Sequence, residues 1–291
     1  MTHALAHLTT GPVRSGEAVL DLLGDVAQEL GCGRAIVIHD GSETAEQALA
    51  WATASLRDRS IQFRPLEVAS PVRMTQSLLD ARAELSALLG GLVITVGAPA
   101  TISLGKLVAV DATGGRPPSG DLVGALTRQP LPHIAIPTAL WPPAESTSVL
   151  NLAMDGTEGR PAKVRVQDPR LCPLALVDGR VHQVHDDERV SAVTRQALVV
   201  AACAASNVDT PLDQCAWALA AAHALTASSV RADIEADERC GIRAAISLAA
   251  ASHPDFELCP RCVAGVRLWL DDDADSPAAA CLRQALSHTQ D

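Results

Sequence analysis

Apolar residues recur at helical spacing between Gly16 and Leu30 (Val19, Leu20, Leu22, Leu23, Val26, Leu30), and Gly31-Cys32-Gly33 ends the pattern. The character then changes. Ala35-Ile36-Val37-Ile38 is an unbroken apolar run, as a strand covered on both faces requires. Ser42 and Glu43 open a helix that continues through Leu56; the hydroxyl suits an N-cap and the carboxylate suits the positive end of the helix dipole. Ile61 to Val68 predicts a second strand, Met74 to Leu89 an amphipathic helix stopped by Gly90-Gly91, and Leu92 to Val96 a short buried strand. A helix from Thr101 to Val110 follows, then a Gly/Pro-rich turn from Gly114 to Gly120, a short helix, and the apolar strand Pro132 to Thr138. Strands alternating with helices predict a mostly parallel sheet with helices covering it.

Val149 to Met154 and Ala162 to Val166 flank Asp155-Gly156 as a hairpin, and Leu174 to Asp178 predicts one more strand. Beyond that point the strand alternation is lost: residues 189–252 are alanine-rich and read as a bundle of helices. The expected fold class is α/β, with a Rossmann-like nucleotide-binding domain over residues 1–180 and an all-helical domain over residues 181–291.

Composition narrows the possible partners. The chain has 291 residues and 48% apolar content, enough for a buried core, and 23 basic against 34 acidic side chains give a net charge of −11. No Lys/Arg run interrupts this acidity, so neither a nucleic-acid surface nor an anionic membrane surface is expected. No apolar stretch has bilayer length, and Met1 to Arg14 lacks the order of a signal peptide, which makes a cytoplasmic location the expectation. The eight cysteines are scattered and imply no disulfide scaffold; Cys259 and Cys262 form a single CxxC without a second pair at zinc-ribbon spacing.

One turn and four single residues carry candidate chemistry. Gly97-Ala98-Pro99 follows a strand and opens a helix, the geometry in which backbone N–H groups receive an anion such as a pyrophosphate; the same residues also fit a plain turn with Pro99 at the first helical position. Thr138 ends an apolar strand, and such carboxyl ends hold ligands in open α/β sheets. Asp40, at the end of the first apolar strand, either accepts from a ribose hydroxyl or caps the next helix. Against 21 arginines there are only two lysines, Lys106 and Lys163, so a compact ammonium has been kept at two places in a chain that otherwise uses guanidinium.

In their order these pieces resemble the iron-containing alcohol dehydrogenase family, of dehydroquinate-synthase-like fold. The family's GGGS-x-x-D-x-x-K turn corresponds to Gly97 through Lys106, with the first glycine and the lysine kept and two glycines, the serine and the aspartate replaced. Its I-P-T-T-x-G-T-G-S-E segment corresponds to Ile136 through Glu145, where Ile-Pro-Thr and the glutamate survive. A later family lysine falls on Lys163, and the P-x-x-A-x-V-D strand end falls on Pro173 to Asp178. The family's D-A-L-x-H metal-binding helix reads here Gln196-Ala197-Leu198-Val199-Val200, which lacks both the carboxylate and the imidazole.

The resemblance implies an oxidoreductase that uses NAD or NADP, bound by Asp40, Gly97, Ala98, Pro99, Lys106, Thr138 and Lys163, with no metal expected and none of the usual ligands in that helix. Without a metal a base must take the hydroxyl proton, and His182, His185 and His253 are the candidates. Short divergent relatives in ribosomal-peptide pathways of the daptide type imply oxidation of a carboxy-terminal threonine, which would call on a separate peptide-recognition protein. A small-molecule alcohol is the other substrate class, and a homodimer is the expected assembly. The alternative is a non-catalytic relative that keeps the fold and serves as a partner or scaffold subunit.

Overall fold

The structure, a computed structural model, describes residues 3–5, 13–69, 74–88, 91–113, 129–140, 144–146, 149–154, 162–167, 169–183, 185, 187–206, 216, 218–222 and 225. The chain divides into two compact units, Met1–His182 and Gln183–Asp291.

The first unit contains the strands β1 (His3–Leu5), β2 (Val13–Gly16), β3 (Arg34–His39), β4 (Gln62–Glu67), β5 (Leu92–Gly97), β6 (His133–Pro137), β7 (Val149–Met154), β8 (Ala162–Gln167) and β9 (Leu174–Asp178). Its helices are α1 (Leu23–Glu29), α2 (Glu43–Asp58), α3 (Met74–Ala87), α4 (Pro99–Asp111) and the short α5 (Gly179–His182). Seven strands form one sheet in the order β1-β2-β9-β6-β5-β3-β4, parallel throughout except for the β1–β2 pair. β7 and β8 pair antiparallel as a separate ribbon, the hairpin that the sequence predicts.

Alternating residues of β3 supply two cores. Ala35 and Val37 face α2, where Ala45, Ala48, Ala52 and Leu56 repeat every three or four residues. Ile36 and Ile38 face α3 and α4, meeting Leu78, Ala81 and Leu85 of the one and Leu104, Leu107 and Val108 of the other. All six residues of β5 are buried, which explains why its sequence shows no polar alternation. α4 is buried from Thr101 through Ala109, consistent with a helix that is apolar on nearly every side. Arg82 of α3 closes an ion pair onto the buried Asp111 at the end of α4 and fastens these two helices together.

The helix expected from Gly16 to Leu30 is divided. Val13–Gly16 is the edge-side strand β2, in register with Ala175–Asp178 of β9, and Val19–Leu22 is a 3-10 turn leading into α1. Val13 and Ser15 are the buried positions of β2, too few for a period of two to stand out, so pairing with β9 decides the conformation. The apolar stripe itself holds: Val19, Leu20, Leu23 and Val26 are buried, while Leu22 and Leu30 face solvent. The short helix expected after Gly120 lies outside the described residues.

In the second unit α6 (Asp187–Ser206) buries Val190, Thr194, Ala197, Leu198, Ala201 and Ala204 along one stripe. Helical positions continue at 216, 218–222 and 225, with Ala218, Ala221 and Leu225 buried. The rest of the expected helical bundle lies outside the described residues. No helix among the described residues is long and apolar enough to cross a membrane.

Candidate functional site

A parallel sheet presents a ligand crevice where two neighbouring strands send their following helices to opposite faces. β3 and β5 meet that condition, since α2 packs on one face and α4 on the other. The register aligns His39 with Val96 and Gly97 with Pro137, so Asp40, Gly97 and Thr138 stand side by side at the carboxyl ends of three adjacent strands. The Thr138 N–H donates to the Gly97 carbonyl at 3.1 Å, which fixes the spacing of the last two ends.

Gly97 sits at φ 152°, a conformation that L side chains seldom adopt, and a Cβ there would collide with the Asp40 carboxylate. Pro99 follows at the start of α4, where its missing N–H costs no helical bond. The Ala98 N–H donates to Asp40 Oδ2 at 2.7 Å. The N–H groups of Thr101 and Ile102 turn back to the Ala98 carbonyl at 3.0 and 3.2 Å, leaving Ala100 as the remaining donor of the first turn. Against a dinucleotide this cradle therefore offers the crevice, the bare backbone of Gly97 and the hydroxyl-bearing Thr138, but few free N–H groups.

Lys106 lies two turns further along α4 and is 1% exposed. Its ammonium donates to the Ala144 carbonyl at 2.7 Å, just before the buried Glu145, so the two family-like segments of the sequence meet there. Burial pushes Lys106 down to about 8, against the opposing pull of Cys172 and Glu145. A base whose folded pKa is lowered from 10.5 to about 8 destabilises the folded state while it is charged, and that penalty is relieved as pH rises between those values. The stability of the wild type relative to a Lys106→Met variant is thus expected to rise from pH 8 to 10.5 in denaturant titrations. His133 shares the space beside α4: its Nε2 lies 2.9 Å from the Thr95 hydroxyl, and burial with the neighbouring Lys106 charge holds it down to about 3.

The other expected site residues fall on several different segments of the chain. His182 is buried at the end of α5 in the first unit, and His185 falls in the second. Lys163 occupies β8 opposite Ala153. His253, Cys259 and Cys262 lie outside the described residues. On α6 the two residues that the sequence resemblance sets against the family's metal-binding aspartate and histidine are Gln196, which is exposed, and Val200, which is buried. An amide facing solvent and an isopropyl group in the core cannot serve a divalent ion, so this helix does not fit the family's metal. Among the described residues, no group of three or more metal-ligating side chains converges.

Two polar arrangements escaped the sequence reading. Asp178, at the end of β9, accepts from the Leu20 N–H at 3.0 Å and from Arg180, whose guanidinium also pairs with Asp21 and stacks 4.5 Å from the Trp51 ring. His39 is 5% exposed with Nδ1 3.1 Å from a Glu46 carboxylate oxygen. Asp178 and Arg180 meet Leu20 and Asp21 from more than 150 residues away, whereas His39 and Glu46 are seven residues apart but belong to a strand and the helix after it, so no single helical or strand period links them.

Comparison with known proteins places the chain. Residues 11–179 match the family described as iron-containing alcohol dehydrogenase, which covers more than half of the sequence. No curated protein matches it. Among solved structures it is similar to an alcohol dehydrogenase from Oenococcus oeni (19% identity, TM-score 0.70, covering 97% of this chain and 73% of that one). It is also similar to a sulfoacetaldehyde reductase from Bifidobacterium kashiwanohense in complex with NAD+ (16% identity, TM-score 0.64, 82% and 64% covered). A third is an archaeal alcohol dehydrogenase from a Red Sea brine pool (18% identity, TM-score 0.66, 81% and 62% covered). The chain thus spans between 62% and 73% of the length of these three. The structural likeness shows the dehydroquinate-synthase-like fold. Because the matched residues make up more than half of the sequence and include β3, β5 and β6, the chain belongs to the iron-containing alcohol dehydrogenase family.

Proposed function

We propose that the protein is an NAD(P)-linked oxidoreductase that oxidises an alcohol without the family's usual metal. The observation that carries this reading is the alignment of Asp40, Gly97 and Thr138 at the sheet's switch point, within the segment that matches the family. The first 180 residues act as the nucleotide-binding domain and residues 181–291 as a helical domain. Gly97, Ala98 and Pro99 would hold the cofactor through backbone, Thr138 and Asp40 through side chains, and Lys163 through its ammonium, with Lys106 supporting the site through Ala144. A bound nicotinamide would supply the hydride acceptor. The alcohol's hydroxyl proton passes to a base among His182, His185 and His253 as the carbinol hydrogen leaves with its electron pair.

A metal-independent reaction suits a substrate whose product is removed at once. Oxidation of a peptide's carboxy-terminal threonine gives a β-keto acid that loses CO2 and leaves a ketone, which drives the reaction forward. We assign that substrate class, of the daptide type, together with a peptide-recognition partner, a homodimeric assembly and a cytoplasmic location. The test is hydride transfer: purified protein with NAD+ or NADP+ and threonine-terminated peptides is expected to give reduced nicotinamide and a ketone by mass spectrometry, undiminished by chelators. Activity that requires added iron or zinc contradicts the metal-free part. Lys163→Ala is expected to raise the Kd for the dinucleotide roughly tenfold, the worth of one charge-assisted contact. Unchanged affinity removes Lys163 from the site.

One observation favours a second reading, a non-catalytic partner subunit: the Ala98 N–H is taken by Asp40, and Pro99 has none. A scaffold would form a stable complex with an active enzyme yet show no thermal shift with either dinucleotide.

A further inference from the structure

Asp40 sets a fixed negative charge where a bound pyrophosphate would need hydrogen-bond donors. Its Oδ2 accepts from the Ala98 N–H at 2.7 Å and the Thr101 hydroxyl at 3.3 Å. Its Oδ1 accepts from the Ser42 N–H at 3.2 Å and the Ser42 hydroxyl at 2.7 Å. Ser42 in turn caps α2, so one carboxylate ties together the N-termini of helices packed on opposite faces of the sheet. Ala98, the N-cap of α4, has no side chain able to cap its own helix, and Asp40 does so from the neighbouring strand. The bare Gly97 is what lets the carboxylate approach so closely.

We propose that Asp40 is an intramolecular latch: it holds the β5–α4 turn in a self-occupied state, and a dinucleotide gains the turn only when the carboxylate releases Ala98 and Thr101. The proposal rests on reading this crevice as the cofactor site. Two consequences follow from one displacement. The apparent affinity for a phosphate ligand is lowered by the fraction of molecules in which the latch is closed. Once released, the same carboxylate is placed to accept from a ribose hydroxyl, so Asp40 opposes the pyrophosphate part of the ligand and assists the ribose part.

Those two roles separate with two probes. Inorganic pyrophosphate has no ribose and senses the latch alone, whereas NAD+ senses both. The full chain and its Asp40→Asn and Asp40→Ser variants, checked for fold by circular dichroism, are titrated with each probe by calorimetry. Both variants are expected to bind pyrophosphate at least tenfold more tightly than wild type, while their affinity for NAD+ changes less or falls. Equal or weaker pyrophosphate binding by both variants, with wild type still binding NAD+, overturns the latch and leaves the cofactor reading standing. No binding of NAD+ by any of the three overturns both. Hydrogen exchange in the wild type gives an independent readout that needs no variant. The Ala98 amide is expected to exchange faster, or with a different protection, when NAD+ saturates the protein. Unaltered protection at saturation also contradicts the latch.

Discussion

Gly97→Ala is expected to destabilise the protein by about 3 kcal/mol or more and to abolish dinucleotide binding together with it. Two costs act at this position. The backbone at φ 152° is strained for any L side chain, worth roughly 1–3 kcal/mol. The new Cβ would also enter the space of the Asp40 carboxyl carbon, 2.8 Å away, and stand 3.1 Å from the Thr101 hydroxyl. Overpacking of this kind costs a further 1–3 kcal/mol or so. Relief is expensive whichever group moves: Asp40 is held by four donors, and the Gly97 carbonyl is held by Thr138. Denaturant unfolding of the variant checks the stability, and calorimetry of the surviving folded fraction checks the binding. An alanine variant as stable as wild type would show that the turn readily rearranges, and the geometry assigned to the crevice would be wrong.

Gly105→Ala tests the support beneath the site. Inside an exposed helix this change gains about 1 kcal/mol from helix propensity. Here the added methyl would run into the Thr95 methyl group on β5 and stand 2.8 Å from Nε2 of His133. The glycine is the point at which α4 lies directly on the sheet, and the Thr95–His133 hydrogen bond runs through the same space. Overpacking of roughly 1–3 kcal/mol, plus the loss of a hydrogen bond worth about 1 kcal/mol, outweighs the propensity gain. The expected result is a net loss of about 2 kcal/mol, measured as a lower Tm and a lower denaturant midpoint. Because Lys106 is the next residue, the hydrogen bond to Ala144 is expected to suffer in the same variant. A stabilised Gly105→Ala protein would mean that α4 stands off the sheet.

The central elements of the first unit were legible because each follows one dominant rule. β3 and β5 are buried on both faces and so appear as unbroken apolar runs, while α2 shows an alanine face and a serine cap that needs no tertiary information. β2 was not legible: four residues with two buried positions carry no period, and its identity comes from β9, more than 150 residues away in sequence. The same distinction divides the site. Gly97 and Thr138 stand out at strand ends, and Asp40 was legible as a residue with two possible partners. Its third, the Ala98 N–H, appears only when the parallel register brings the ends of β3 and β5 together. Lys106 was conspicuous by rarity, but its burial against Ala144 depends on a segment 38 residues further on.

The most direct test of the account is the melting temperature of the purified full chain with and without millimolar NAD+ and NADP+. A ligand present at 100 times its Kd adds about 2.7 kcal/mol to folding stability, which is readily seen as a shift. A saturable rise with one of the two dinucleotides, absent in Gly97→Ala, is the predicted result. No rise with either at millimolar concentration would contradict a cofactor site between β3 and β5.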